Sequence, residues 1–147
     1  PEYCRLFGPV SISNDYNALS RWLMVKFVTS TRLAPDLAAL CTPRNPMRTR
    51  KRGRVIRQLD SIVIKDLDEV NDLITDIEQQ HRTVPILLKQ YLRLGARLLA
   101  FNIDPDFGDA LDGLMYVDLR HTDPRILAKY LGREDHKQFL AHHGVQA

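Results

Sequence analysis

The chain opens in alternation. From Leu6 to Ser13, Val10 and Ile12 fall on one face of an extended segment and Ser11 and Ser13 on the other, the period-two pattern of a half-buried strand. The period then changes. Leu19, Trp22, Leu23 and Phe27 follow helical spacing, which predicts a helix over Tyr16–Phe27 with Asn14 as its N-cap. From Thr29 to Ile62 the pattern is poorly periodic, and "TPRNPMRTRKRGR" has the composition of a loop. Asp66 with Glu69 three residues on reads as a capping-box-like start, and Leu67, Val70, Leu73, Ile74 and Ile77 form one stripe of the helix that follows. Thr83 is the predicted cap of a further helix, with Pro85 in its first turn and Gly95 at its C′ position. Ile86, Leu87, Leu88, Tyr91, Leu92 and Leu94 leave that helix so little polar surface that it is expected to be largely buried. "RLLAFNI" and "GLMYVDL" read as two strands joined by the turn-rich "DPDFGDALD". Asp123-Pro124 then starts a helix that Gly132 ends, and a short amphipathic helix over Arg133–His142 follows.

This order of elements predicts an α+β or layered α/β domain over residues 1–147, with helices covering a small sheet. No internal repeat or low-complexity segment interrupts it. A length of 147 residues suffices for one sizeable core. A hydrophobic content of 44% and a charged content of 27% are ordinary for a globular protein. No apolar run approaches the ~20 residues of a membrane span, and the N-terminus lacks the pattern of a signal peptide. Cys4 and Cys41 fit no metal-ligand spacing and suggest idle thiols in a reducing compartment. A cytoplasmic location is the resulting expectation.

Charge changes the picture once it is located. Between Leu37 and Leu59 there is no acid, against seven bases: Arg44, Arg48, Arg50, Lys51, Arg52, Arg54 and Arg57. The whole chain has 21 Lys and Arg against 18 Asp and Glu, so the remainder carries 14 bases against 18 acids. The molecule is mildly acidic with one basic loop, residues 43–58, and charge so concentrated acts on a partner rather than on the fold.

Two long stretches carry a family likeness. "YCRLFGPVSISNDYNALSRWLMVKF" and "VPILLKQYLRLGARLLAFNIDPDFGDALDGLMYVDLRHTDP" resemble the hemolysin-like proteins of the GNAT superfamily, which include the ornithine-lipid N-acyltransferases of lipid biosynthesis. The resemblance runs over about Tyr3 to Gly132. It implies a mixed sheet that splays open between two central strands, where the acyl-thioester arm of the donor inserts. It also implies transfer of a 3-hydroxyacyl group from acyl carrier protein, or acyl-CoA, to the α-amine of ornithine or a related amine. No permanently bound cofactor is implied. In the wider superfamily the strand after the cleft ends near an Asn, and a Tyr on the next helix protonates the leaving thiol. Asn14 and Tyr16 occupy the matching neighbourhood here. The phosphopantetheine-binding turn of the superfamily has no match, since "RKRGRV" follows its Arg and first Gly with Arg-Val. Family members also carry roughly half their chain ahead of "LFGPVSIS", including the strand that pairs across the cleft. The resemblance therefore implies a C-terminal half, which on its own is expected to be inactive, with a missing N-terminal half or partner chain.

Three sets of candidate residues follow. Acyl transfer to an amine needs a base for the ammonium proton and donors for the oxyanion, roles that Ser11, Ser13, Asn14, Asp15 and Tyr16 can fill; strand-to-helix capping explains the same residues. Arg48, Arg50, Lys51, Arg52 and Arg54 suit the acidic helix of an acyl carrier protein or an anionic membrane surface, while a solvated loop is the plain alternative. The run contains no aromatic residue for base stacking, which argues against nucleic acid. Asn102, Asp104, Asp106 and Asp109 would attract the ammonium of an acceptor, and turn chemistry explains them equally well. Lys89, Gln90, Tyr91 and Arg93 line a donor channel or form the wet face of their helix. His136, His142 and His143 have no third-ligand geometry, and no nucleophile elbow is present. A binding module without catalysis, docking through the basic loop, is the competing class of function.

Overall fold

The computed structural model describes residues 3–47, 64, 66–78 and 82–145, with the backbone alone at residue 133. Strand β1 covers Arg5–Ile12, β2 covers Arg97–Asp104 and β3 covers Ala110–Asp118. The last of them lies in the middle. The order is β1-β3-β2, and both pairings are antiparallel. The mixed sheet of the expectation is thus corrected: among the described residues the parallel geometry is limited to one isolated bridge, Leu33 to Leu98. β2 and β3 are joined by a short hairpin, which can only connect antiparallel strands. One 3₁₀ turn, Pro105–Phe107, makes that hairpin, followed by Gly108 at φ 62° and Asp109 at φ 56°. The turn is shorter than its composition suggests, because β3 already begins at Ala110 and includes Asp112.

Helix α1 spans Ala18–Arg32, α2 Pro35–Ala38, α3 Leu67–Ile77, α4 Ile86–Arg93, α5 Pro124–Leu131 and α6 Arg133–His142. α1 departs from its sequence pattern at both ends. Its cap is Asn17 rather than Asn14, with Asn17 Oδ1 accepting from the Leu19 amide at 2.9 Å, so Tyr16 precedes the helix. At the other end it continues past Phe27, and the Ser30 and Thr31 hydroxyls donate to the Phe27 carbonyl at 3.2 and 2.7 Å. Such back-bonding lets hydroxyl residues persist in a helix. Pro35 then disfavours helical backbone at Ala34, and the chain leaves the helix. α3 starts as predicted, with Asp66 accepting from the Glu69 amide at 2.9 Å. α4 does not use Thr83 as a cap; Pro85 holds that position without a side-chain bond.

The core lies on one face of the sheet. Val10, Ile12, Leu98, Leu111, Met115 and Val117 meet Trp22, Met24 and Phe27 of α1, Val70 and Ile74 of α3, and Leu88 and Leu92 of α4. A second, smaller cluster joins Leu127 of α5 to Phe139 and Leu140 of α6. α4 is not largely buried. Only the stripe of Leu88 and Leu92 is covered, while Ile86 is 75% and Leu87 52% exposed. Apolar content makes a helix eager for cover on all sides, but the tertiary neighbours decide which side receives it. At the end of β3, Asp118 accepts from Arg120 Nε at 2.8 Å and faces Arg5 Nε at 3.6 Å. The Arg120 guanidinium holds the Asp118 carboxyl well below the usual carboxylate range, against the opposing effect of burial. Among the described residues no helix is long and apolar enough to cross a membrane.

Candidate functional site

The hydrogen-bonding edges of β1 follow from its register. Arg5 stands opposite Asp118, and the Leu119 amide donates to the Cys4 carbonyl at 2.8 Å. In an antiparallel ladder the bonded pairs alternate, so the even-numbered residues of β1 turn their peptide groups toward β3 and the odd-numbered ones turn theirs away. Pro9 is odd-numbered and therefore costs the β1–β3 ladder nothing. Its missing N–H lies on the outer edge, where proline is tolerated. Among the described residues no backbone group bonds to that edge, which leaves the amides of Arg5, Phe7 and Ser11 open.

Past the strand, the chain turns on itself. Ser13 Oγ donates to Asp15 Oδ2 at 3.0 Å and accepts from the Asp15 amide at 3.1 Å. Asn14 Oδ1 accepts from Arg21, whose second nitrogen donates to the Asp109 carbonyl at 3.3 Å. The Tyr16 hydroxyl donates to the Thr83 carbonyl at 2.7 Å, and the Arg82 guanidinium lies 5.7 Å from the centre of its ring. Burial pushes the Tyr16 phenol above its ordinary range; Arg82 pulls it down and Glu78 adds to the rise. Glu78 is itself buried, and its Oε1 accepts from the Asn17 amide at 2.8 Å. Ser13, Asn14, Asp15 and Tyr16 thus close a turn and fasten it to α1, the β2–β3 hairpin and the segment before α4. Their polar atoms are engaged there.

Ser11 behaves differently. It is exposed on the sheet face away from the core, directly opposite Asp112 of β3, and Asp112 in turn stands opposite Asn102 of β2. Residues in register share a face, so Ser11, Asp112 and Asn102 form a row across the sheet. Asp112 and Asn102 line a pocket of about 210 Å³ with Pro9, Leu114 and the segment Cys41–Pro43. Asn102 Oδ1 accepts from the Asn45 amide at 2.7 Å. Asp112 Oδ1 is buried and, among the described residues, accepts no hydrogen bond. A buried carboxylate oxygen without a donor is costly unless a ligand or water supplies one. Asp112 was hidden in the sequence by its neighbours, whose Asp and Gly content reads as turn. The usable signal was the alternation in "ALDGLMYVDL", which puts this carboxylate on the same face as Leu114 and Tyr116.

The remaining candidates scatter. Asp104 Oδ1 accepts from the Asp106 amide at 3.0 Å, an Asx turn that opens the hairpin and leaves Asp106 exposed beside Asp109. Asn102 is therefore drawn into the pocket while Asp104, Asp106 and Asp109 shape the turn. Gln90 accepts from the Tyr130 hydroxyl at 2.6 Å, and Lys89 and Arg93 lie in a separate recess with Asp66 and Asn71. The basic candidates Arg48, Arg50, Lys51, Arg52 and Arg54 lie outside the described residues. Cys4 and Cys41 are half-buried free thiols. Compared with known proteins, the chain matches no protein-family model, no curated protein and no solved structure.

Proposed function

We propose that this chain forms one wall of an N-acyltransferase cleft, passing a 3-hydroxyacyl group from a carrier-protein thioester to an amine such as the α-amine of ornithine. The observation that carries the reading is Asp112: a carboxylate with a buried oxygen that has no partner among the described residues, between Ser11 and Asn102 and facing a small pocket. A carboxylate so placed attracts an ammonium group and takes its proton, which frees the nitrogen lone pair for attack. The C–N bond then forms as the C–S bond breaks, the second proton that the nitrogen sheds on becoming an amide passes to the departing thiolate, and the first is released from Asp112 to solvent. The outward amide of Ser11, on the open edge of β1, supplies a donor for the developing oxyanion. Tyr16, whose hydroxyl is given to Thr83, serves in this reading to hold the turn rather than to move a proton.

The test is a titration of the ¹⁵N-labelled chain with ornithine. Shifts confined to Ser11, Asn102 and Asp112, and lost in Asp112→Asn, are the expected result. Shifts that leave these three unmoved would overturn the reading. The open edge of β1 adds a second expectation: the 147 residues alone acylate ornithine too slowly to measure with an acyl carrier protein donor. Robust turnover by the isolated chain would refute the single-wall part of the proposal.

A further inference from the structure

On the core side of the sheet, beside the open edge of β1, a groove of about 530 Å³ runs between α4 and α5. That volume is within the roughly 300–1,000 Å³ of small-molecule sites. Leu6, Leu87, Leu94 and Val117 make its apolar surface. Leu6 and Leu87 are 43% and 52% exposed, an unusual state for leucines that face each other across a cleft. The bond from Tyr130 to Gln90 ties α5 to α4 at the groove. Two polar groups remain. Among the described residues of the lining, Lys129 is the one that is charged, and none is a carboxylate. The Tyr91 hydroxyl makes no hydrogen bond among the described residues, and it sits so near β1 that a Cβ at position 8 would stand 2.2 Å from it. Gly8 is thus what lets a free phenol stand in this groove.

We propose that the groove binds a single aliphatic chain with an anionic head, a carboxylate or a phosphate monoester. The chain lies along Leu6, Leu87, Leu94 and Val117, and the head meets Lys129 and the Tyr91 hydroxyl. Charge decides the class of ligand: a cation and a hydroxyl donor, with no acid among the described residues of the lining, select an anion. A docking protein strand would instead seek the open amides of Arg5, Phe7 and Ser11, which lie in the plane of the sheet. This site is separate from the Asp112 pocket on the other face and does not depend on the amine-transfer reading.

The experiment is a titration of the methyl-labelled chain with decanoate, decyl phosphate and decanol, each kept below its aggregation concentration. Saturable shifts at the methyls of Leu6, Leu87, Leu94 and Val117 are expected. Lys129→Gln should weaken decanoate and decyl phosphate by about tenfold while leaving decanol unchanged, the loss of one charge-assisted contact. Leu87→Asp, at a half-exposed position that the fold tolerates, should weaken all three. A response to only one of the two anions keeps the site and identifies its head group. Shifts spread equally to exposed Leu40 and Phe107, or absent from the groove, would overturn the proposal. So would concentration-dependent self-association that Leu87→Asp abolishes, since the occupant would then be a second copy of the chain.

Discussion

The two outer edges of this sheet are treated in opposite ways. Along β2 the edge is closed piecemeal: the Ala34 amide donates to the Leu98 carbonyl at 2.9 Å, and the Ile103 amide donates to the Asn45 carbonyl at 2.8 Å. Asn102 adds a side-chain bond to the Asn45 amide. Two short pieces of non-helical chain, on either side of α2, thus cover a strand that would otherwise be open. Along β1 no such cover exists among the described residues, and Pro9 occupies the middle of the edge. A sheet edge left bare invites unwanted pairing, and proline is one of the devices that discourage it. The chain can therefore close an edge with irregular segments, yet among the described residues it leaves β1 open and guarded. Openness at β1 is a local property of that strand, and it coincides with the groove on one face and the Asp112 row on the other.

The strand shared by both edges sets the scale for testing this contrast. Leu111 of β3 is fully buried, and Leu111→Ala is expected to cost about 2–5 kcal/mol in urea unfolding, as large-to-small core changes do. Both edges depend on it equally. Ala34→Pro comes next. It removes the amide that closes β2, and Ala34 sits at φ −103°, away from the proline value, so a loss of about 1–3 kcal/mol is expected from the orphaned Leu98 carbonyl with strain in addition. A loss near zero in the same urea series would mean that the β2 edge is no better closed than β1.

Smaller still, and dependent on pH, is the anchor between β1 and β3 at Asp118. Its carboxyl is held below the ordinary carboxylate range in the folded state, so its contribution is fully present above that range and is lost progressively as pH falls from there toward the depressed folded value. Asp118→Asn should leave stability nearly independent of pH over the interval where the parent chain weakens. Urea midpoints measured at neutral and acid pH check this, and equal acid sensitivity in both proteins would show that Asp118 is not the anchor.

What was legible in the sequence was local. Asp66 caps α3 because its partner amide is three residues away, and Gly95 takes φ 81° after α4 because a C′ position favours it. Asn14 and Asn17 both had the chemistry of an N-cap. The choice between them was made by Glu78, whose buried carboxylate takes the Asn17 amide from the end of α3. A contact across so much chain leaves no trace in spacing. The same holds for the β2 edge, closed by single bonds that have no period. Of the candidate site, Ser11 and Asn102 were visible as residue types, but the carboxylate between them was concealed in a turn-like composition, and only the register of three strands joins them.

The smallest expected effect is the most direct test of the contrast. Ser11 is odd-numbered in β1, exposed, and its amide faces the same open edge as the missing donor of Pro9. Proline there removes no ladder bond, and Val10 before it is already extended, as the residue ahead of proline prefers. Ser11→Pro is therefore expected to change stability by no more than about 0.5 kcal/mol, the range of surface substitutions that break nothing. Val10→Pro, one residue earlier, would remove a bonded amide and a buried side chain and should unfold far more easily. The pair separates two meanings of an open edge. If both substitutions are equally damaging, the Ser11 amide has a partner, and β1 is a strand with two working edges. If only Val10→Pro is damaging while Ser11→Pro leaves the ornithine response at Asp112 intact, the open amide is dispensable to the fold and to amine binding, as a donor reserved for the oxyanion requires.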